Sequence, residues 1–166
     1  MVSSVRRVLV PELARYDRLL EVGVGDRPGV ASALAARGCD ATAIDVDVGE
    51  RTREAADETV ACETAEYEPA TASEAGVGSL RAIEGDVFDT DLVERFEDRF
   101  DAVYGLNLPA ELQRPTVELA ARLDAACLFT TLGFEEPIVA VERRFLDGTT
   151  LYVARTRGER GGGGHR

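Results

Sequence analysis

Hydrophobic and polar positions in the first third of the chain follow helix and strand patterns in turn. Residues 5–16 place charged and apolar side chains at helical spacing and predict a lead-in helix, in which Pro11 marks a kink or a second helix start. Residues 18–24 (RLLEVGV) predict a short buried strand that runs into glycines, and residues 28–37 predict a helix. Residues 39–46 (CDATAIDV) follow as a second strand, so that the order is that of a βαβ unit.

The alternation continues and closes with a hairpin. Further strands are predicted at residues 80–84, 100–107 and 126–131, and helices at residues 91–96 and from Pro115 onward. Only residues 132–137 separate the last of these strands from the next apolar run, which is too short for a crossover helix. That run pairs with residues 150–155 around Asp147 and Gly148, a strong turn signal. The sequence therefore predicts an α/β, Rossmann-like, doubly wound and mainly parallel sheet with a C-terminal antiparallel hairpin.

The length of 166 residues suits one domain, which we place at residues 1–157. Residues 49–78 carry eight acids against two arginines and little apolar periodicity, so we expect a partial helix and a solvated, mobile insertion there. The glycine- and arginine-rich residues 158–166 predict a disordered tail.

The charge balance bears on the solvent more than on the reaction. All 19 basic residues are arginine, and 31 acids give a net charge of -12, which we expect of a protein from a very salty cytosol where self-repulsion is screened. The same charge argues against a broad nucleic-acid surface, so nucleic acid is an unlikely partner that is not excluded. Without an apolar run of membrane-spanning length or a signal peptide, we expect a cytoplasmic protein with no membrane partner.

Glycines and an acid follow the first two predicted strands. Gly23 and Gly25 stand where the first strand turns toward its helix, and Asp45 ends the second strand, where a carboxylate can accept hydrogen bonds from both ribose hydroxyls. A sharp turn without a ligand remains open for the glycines, and plain surface acidity for Asp45. The next glycine, Gly29, departs from the Gly-x-Gly-x-x-Gly spacing of dinucleotide-binding loops.

Polar residues also follow the third and fourth strands. Asp86 ends the third strand, although Gly-Asp also forms ordinary turns. Asn107 and Pro109 end the fourth strand, next to where a second substrate would enter, and are the candidate catalytic residues; Asn107 could instead terminate the strand or cap the following helix. Three widely spaced cysteines and one histidine, His165, indicate neither a metal site nor an imidazole base.

Two resemblances follow from these motifs. EVGVG at residues 21–25, Asp45 and Asp86 resemble the first motifs of the class I S-adenosylmethionine-dependent methyltransferases. That likeness implies that Gly23 and Gly25 lie against the methionine part of the cofactor, that Glu21 helps to hold its amino group, and that Asp86 faces the adenine. Residues 21–38, 103–112 and 138–155 look like a small archaeal family, number 0146 of the uncharacterised protein families, whose members are truncated relatives of these enzymes without an assigned reaction.

The substrate side departs from the methyltransferase pattern. The enzymes that act on amino groups carry Asn/Asp-Pro-Pro-aromatic after the fourth strand, whereas this chain has Asn107-Leu108-Pro109-Ala110. Methyl transfer does not require a histidine, since alignment of donor and acceptor supplies much of the rate. We therefore expect a protein that binds S-adenosylmethionine, with methyl transfer to an unknown acceptor or partner protein as its activity. A non-catalytic binding or scaffold module is the alternative, and a nucleotide- or NAD-binding protein is the third.

Overall fold

A computed structural model describes residues 4–64, 78–96 and 99–155. Its seven strands form one sheet with the order β3-β2-β1-β4-β5-β7-β6. The strands are β1 (Arg18–Val22), β2 (Asp40–Asp45), β3 (Ser79–Glu84), β4 (Ala102–Gly105), β5 (Ala126–Phe129), β6 (Val141–Leu146) and β7 (Thr149–Ala154). The helices are α1 (Ser4–Leu13), α2 (Gly29–Ala36), α3 (Glu50–Thr64) and α4 (Ala110–Arg122), with a 3₁₀ helix at Leu92–Arg95. No helix within these ranges is long and apolar enough to cross a bilayer.

The topology confirms the predicted fold class. Strands β1 to β5 pair in parallel, and β7 lies antiparallel between β5 and β6. The chain runs outward from β1 to β3 and then returns to place β4 on the other side of β1, so the strand order switches between β1 and β4. As expected, residues 130–140 connect β5 to β6 without a helix. Ligands of such sheets bind where the carboxyl ends of the strands meet this switch.

Both faces of the sheet are covered. Leu19 of β1 packs with Leu13 of α1 and Leu34 of α2 on one face, while its neighbour Leu20 packs on the opposite face with residues that include Leu119 of α4. Successive side chains of a strand point to opposite faces of the sheet, as these two leucines do. A strand that is buried on both faces therefore has neighbouring apolar residues in its sequence. The helices thus leave the carboxyl edge of the sheet as the open side of the domain.

The structure corrects the prediction for Pro115 and decides between the two interpretations of Pro11 only in part. Pro115 does not begin α4, which starts at Ala110 directly after Pro109. The fixed φ of Pro109 suits it to precede a helix, and the buried side chains of Thr116 and Leu119 hold the helix together beyond Pro115. For Pro11, the alternative of a second helix start is wrong, because Pro11 lies inside α1, which ends at Leu13. In both helices, packing of apolar residues outweighs the one backbone hydrogen bond that a proline removes.

The acidic stretch at residues 49–78 is helical over its first half. Helix α3 spans 15 residues from Glu50, and Ala55 and Ala56 pack against a small cluster that contains Ala41 and Leu80. The rest of the expected insertion, residues 65–77, and the expected tail at residues 158–166 lie outside the described residues.

Candidate functional site

The glycine loop after β1 has the backbone conformation that glycine permits. Gly23 has φ +78° and Gly25 has φ +53°, values that cost an L-residue about 1 kcal/mol or more. The Gly23 amide donates to the carbonyl of Ile44 in β2 (2.9 Å), which ties the start of the loop to the neighbouring strand. The two glycines are therefore explained by the turn, and the loop carries its backbone to the carboxyl edge beside the switch point.

Asp45 is built into this loop. Its Oδ2 accepts a hydrogen bond from the Gly25 amide (2.7 Å), and its Oδ1 accepts one from the Asp47 amide (3.1 Å). An ionised carboxylate has about four acceptor positions, so two remain for other donors. Asp45 thus fixes the loop geometry and still presents acceptors at the edge of the sheet.

A set of contacts that the sequence did not predict joins the loop to α3. The carbonyl of Gly25 accepts from the Gly49 amide (2.9 Å) and from the hydroxyl of the fully buried Thr52 (2.8 Å). The side chain of Asp26 accepts a hydrogen bond from the Arg51 amide (2.7 Å), one of the amides at the start of α3 that have no partner within the helix. A Cβ on Gly49 would lie 2.4 Å from that of Asp26, so the two segments touch. No spacing rule links residue 26 to residue 51, and only the fold reveals the pairing.

A cavity of about 300 Å³ opens at the ends of β1, β2 and β3. It brings together three of the predicted site residues, Gly23, Asp45 and Asp86. The rest of the lining is mainly apolar: Val22, Ile44, Val46, Gly85, Val87, Phe88 and Leu112. Val46 and Phe88 are 68% and 58% exposed, although such side chains are usually buried. An apolar slot with a few carboxylates at its rim is typical of a small-molecule site.

Asp86 shapes one wall of this cavity. Its Oδ1 accepts from the Phe88 amide (2.9 Å), an Asx turn that sets the direction in which residue 88 leaves β3. Asp86 therefore does form a turn, which was one of the two interpretations that the sequence left open. The turn still leaves an exposed carboxylate next to an exposed aromatic ring.

Glu21 and Tyr104 form a buried polar pair beneath the loop. Glu21 is 2% exposed, and neither its Oε1 nor the Tyr104 hydroxyl has a hydrogen bond of normal geometry. Burial raises the pKa of Glu21 to about 7; the adjacent Tyr104 hydroxyl lowers it, and the charge of Asp45 raises it. Glu21, one of the predicted cofactor-binding residues, does not line the cavity.

Asn107 and Pro109 lie at the end of β4 and line neither this cavity nor the one next to it. Asn107 has φ +51°, a conformation that asparagine tolerates, and its amide donates to the Thr130 hydroxyl (2.8 Å). The exposed Asn107 side chain does not cap α4, since Pro109 holds the cap position and no side chain bonds the amides there. Asn107 therefore serves the turn and leaves its amide group toward solvent beside the switch point.

A second cavity of about 620 Å³ lies on the far side of Phe88, between residues 87–90 and the outer face of α4. Arg122 donates to the carbonyl of Thr90 across one end of it, and Arg114 and Ile138 also line it. Residues 87 and 88 line both cavities, so Val87 and the ring of Phe88 lie between the two. Within the described ranges no group of histidine, cysteine and acid side chains could hold a metal ion.

Solved structures with this fold include several methyltransferases. An RNA methyltransferase from Salinibacter ruber in complex with S-adenosylhomocysteine superposes with a TM-score of 0.55 over 93% of this chain and 91% of its own, at 18% identity. An rRNA methylase from Streptococcus thermophilus has the same TM-score over 95% and 99% of the two chains, at 10% identity. These likenesses show a methyltransferase-like Rossmann fold.

Sequence comparison reaches a closer group. A protein of the uncharacterised family UPF0146 from Halobacterium salinarum is 40% identical over 144 residues, which cover 86% of this chain and 91% of that relative. The model of that family matches residues 4–157, a range that contains the glycine loop, Asp45, Asp86 and the hairpin. The chain belongs to the uncharacterised protein family UPF0146.

Proposed function

We propose that this protein binds S-adenosylmethionine in the cavity at the ends of β1, β2 and β3. The observation that carries the proposal is the convergence of Gly23, Asp45 and Asp86 on one apolar slot beside the strand-order switch. An adenosine group needs acceptors for its ribose hydroxyls and apolar walls for its base, and this slot offers both. The fold shared with enzymes solved with S-adenosylhomocysteine or S-adenosylmethionine supports the same ligand.

The described side chains fit the parts of this cofactor in order. The acceptor positions left on Asp45 suit the two ribose hydroxyls. Val46 and Phe88 supply apolar contact for the base, and the free oxygen of Asp86 suits its amino group. The unpartnered Oε1 of Glu21 lies beneath the loop, where the cationic amino end would be held. An acid of raised pKa there becomes ionised most readily when a cation binds nearby.

Methyl transfer is the activity that we propose for the site, and an activated methyl group is what the bound cofactor supplies. This chain contributes binding and alignment, because the described residues hold no histidine that could act as a base, and Asn107 lies with its side chain exposed at the end of β4. The exposed amide of Asn107 can orient an acceptor by hydrogen bonds, and Pro109 fixes the backbone that follows. The acceptor itself, or a partner protein that completes the substrate surface, must approach from this open edge.

The test is calorimetric titration in multimolar KCl with S-adenosylmethionine, S-adenosylhomocysteine, methylthioadenosine and NAD, after circular dichroism has shown that the protein is folded. We expect saturable binding of the first three and none of NAD. Binding of NAD alone would favour the nicotinamide alternative. Failure of every ligand to bind the folded protein would reject the proposal and favour a scaffold role.

A further inference from the structure

Arg6 brings a guanidinium group from outside the predicted motif to the start of α2, the helix that follows the glycine loop. The chain passes from the end of α1 into the amino end of β1. Because α1 packs against the sheet, its first residues lie toward the opposite, carboxyl ends of the strands. There the half-buried Arg6 packs on Gly29, the first residue of α2. A Cβ at position 29 would lie 3.1 Å from Nη1 of Arg6, so the glycine leaves the space that the guanidinium occupies.

This guanidinium makes no ion pair or hydrogen bond with any described residue. Other arginines of this acid-rich chain find carboxylates, as Arg53 does with Glu84 and Arg143 with Glu136. A partly buried guanidinium that packs beside a loop and finds no acid leaves its five N–H donors available to another anion.

The start of α2 offers donors at the same place. The first helical hydrogen bond of α2 runs from the Ser32 amide to the Pro28 carbonyl (2.8 Å), so the amides of residues 29–31 precede the helical ladder. No side chain caps them, because Pro28 holds the cap position. Free amides at a helix start attract negative charge, and the guanidinium adds a full positive charge beside them.

We infer that Arg6 binds the carboxylate of the amino-acid end of the ligand, an inference that rests on the proposed function. A guanidinium matches a carboxylate with two parallel N–H···O bonds. On the same face of the sheet, the buried carboxyl group of Glu21 has an unpartnered oxygen suited to an ammonium group. An acid beneath the glycine loop and a guanidinium at the start of the helix that follows it would together select a zwitterionic α-amino acid group and discriminate against nucleosides that lack one.

The test compares ligands with and without the amino-acid end. We would titrate Arg6→Gln, which keeps most of the packing stem but loses the charge, with S-adenosylmethionine, S-adenosylhomocysteine and methylthioadenosine. Binding of the first two should weaken about 10- to 100-fold, while binding of methylthioadenosine should stay within about twofold. Arg7→Gln, one residue along the same helix and exposed, is the matched control and should bind all three as the wild type does.

Gly29→Ala gives an independent check that leaves Arg6 in place. Its Cβ would displace the guanidinium by a few tenths of an ångström while alanine favours the helix, so the protein should fold and show a smaller loss than Arg6→Gln, confined to the two ligands with the amino-acid end. Wild-type affinity of Arg6→Gln for S-adenosylmethionine, or an equal loss for methylthioadenosine, would overturn the inference and leave the proposed function intact. If the wild type binds none of the three ligands, the proposed function fails and the inference with it.

Discussion

Glu21 and Tyr104 lie directly opposite each other on the adjacent parallel strands β1 and β4, and both polar ends are buried. The backbone hydrogen bonds between β1 and β4 fix this register, so the two side chains stay opposite each other whether or not their polar groups bond. Buried polar atoms without normal hydrogen bonds cost stability. This pair lies under the glycine loop, so its cost falls where a cationic ligand would offset it.

The raised pKa of Glu21 predicts that the unliganded protein loses stability as the pH rises. With a pKa near 4.5 in the unfolded chain and about 7 in the folded one, only the folded state holds the proton between these values. The contribution of Glu21 to the free energy of unfolding is therefore largest below pH 4.5 and declines until the pH passes about 7. Urea denaturation between about pH 5 and pH 8 should show that the wild type loses about 2–3 kcal/mol more than Glu21→Gln.

An exposed acid serves as the control for this experiment. Glu54 lies on the surface of α3, and Glu54→Gln should leave the pH dependence of the wild type nearly unchanged. Parallel curves for the wild type and Glu21→Gln would show that the carboxyl group is ionised and solvated in the folded protein, against the burial described above.

Substitution of Asp45 should weaken every adenosine ligand to the same degree, in contrast to substitution of Arg6. Asp45→Ala removes the acceptors that we propose for the ribose and also leaves the amides of Gly25 and Asp47 without their partner. We expect binding weaker by about 1.5–3 kcal/mol for S-adenosylmethionine and methylthioadenosine alike. Thermal unfolding should also show a loss of about 1–2 kcal/mol, because the loop loses its anchor.

Asp47→Ala is the matched control, since Asp47 is an exposed acid two residues further along. It should leave both affinity and stability close to those of the wild type. An Asp45→Ala protein that is destabilised but binds with unchanged affinity would restrict Asp45 to a structural role.

Gly78, which directly precedes β3 at the amino ends of the strands, should tolerate replacement least among the described glycines. A Cβ there would lie 1.9 Å from the carbonyl oxygen of Cys39, a backbone atom that cannot move without disturbing the entry to β2. Gly78→Ala should therefore cost about 3 kcal/mol or more in chemical denaturation. Gly133→Ala, where φ is +54° and nothing lies within 4 Å of the new Cβ, should cost only about 1 kcal/mol of backbone strain. Equal losses would show that residue 78 does not approach Cys39 so closely in solution.

The sequence predicted the sheet because each strand carries its own local pattern. RLLEV places a leucine on each face of the sheet and is followed by Gly23, and Asp147-Gly148 marks the hairpin, so neither needs tertiary information. Pro109 and Pro115 show the limit of such signals. Either proline could begin α4, and the choice depends on which turns of the helix pack on the sheet.

The site residues that come directly after strands could be predicted from the sequence. The contacts between residues of different elements could not. Gly23, Asp45 and Asp86 come at strand ends, and the parallel topology alone brings them to one edge. Arg6 lies before the first strand, in a helix that reads as a simple lead-in, and only its packing on Gly29 places it beside the loop. Thr52 is an ordinary residue in an acidic stretch until the fold buries it against the Gly25 carbonyl.

The exposure of Phe88 predicts that this ring belongs to the ligand site. The Asp86 turn holds residue 88 at the rim of the cavity, where an apolar ring in water gains nothing unless a flat group covers it. Phe88→Ala should weaken S-adenosylmethionine, S-adenosylhomocysteine and methylthioadenosine by about 3- to 10-fold each, with little change in stability. Phe134→Ala is the matched control, because Phe134 is fully exposed in the loop after β5 and lines neither cavity described here. If both variants bind as the wild type does, Phe88 has no part in holding the base; if both bind more weakly, the ligand covers a wider surface than this slot.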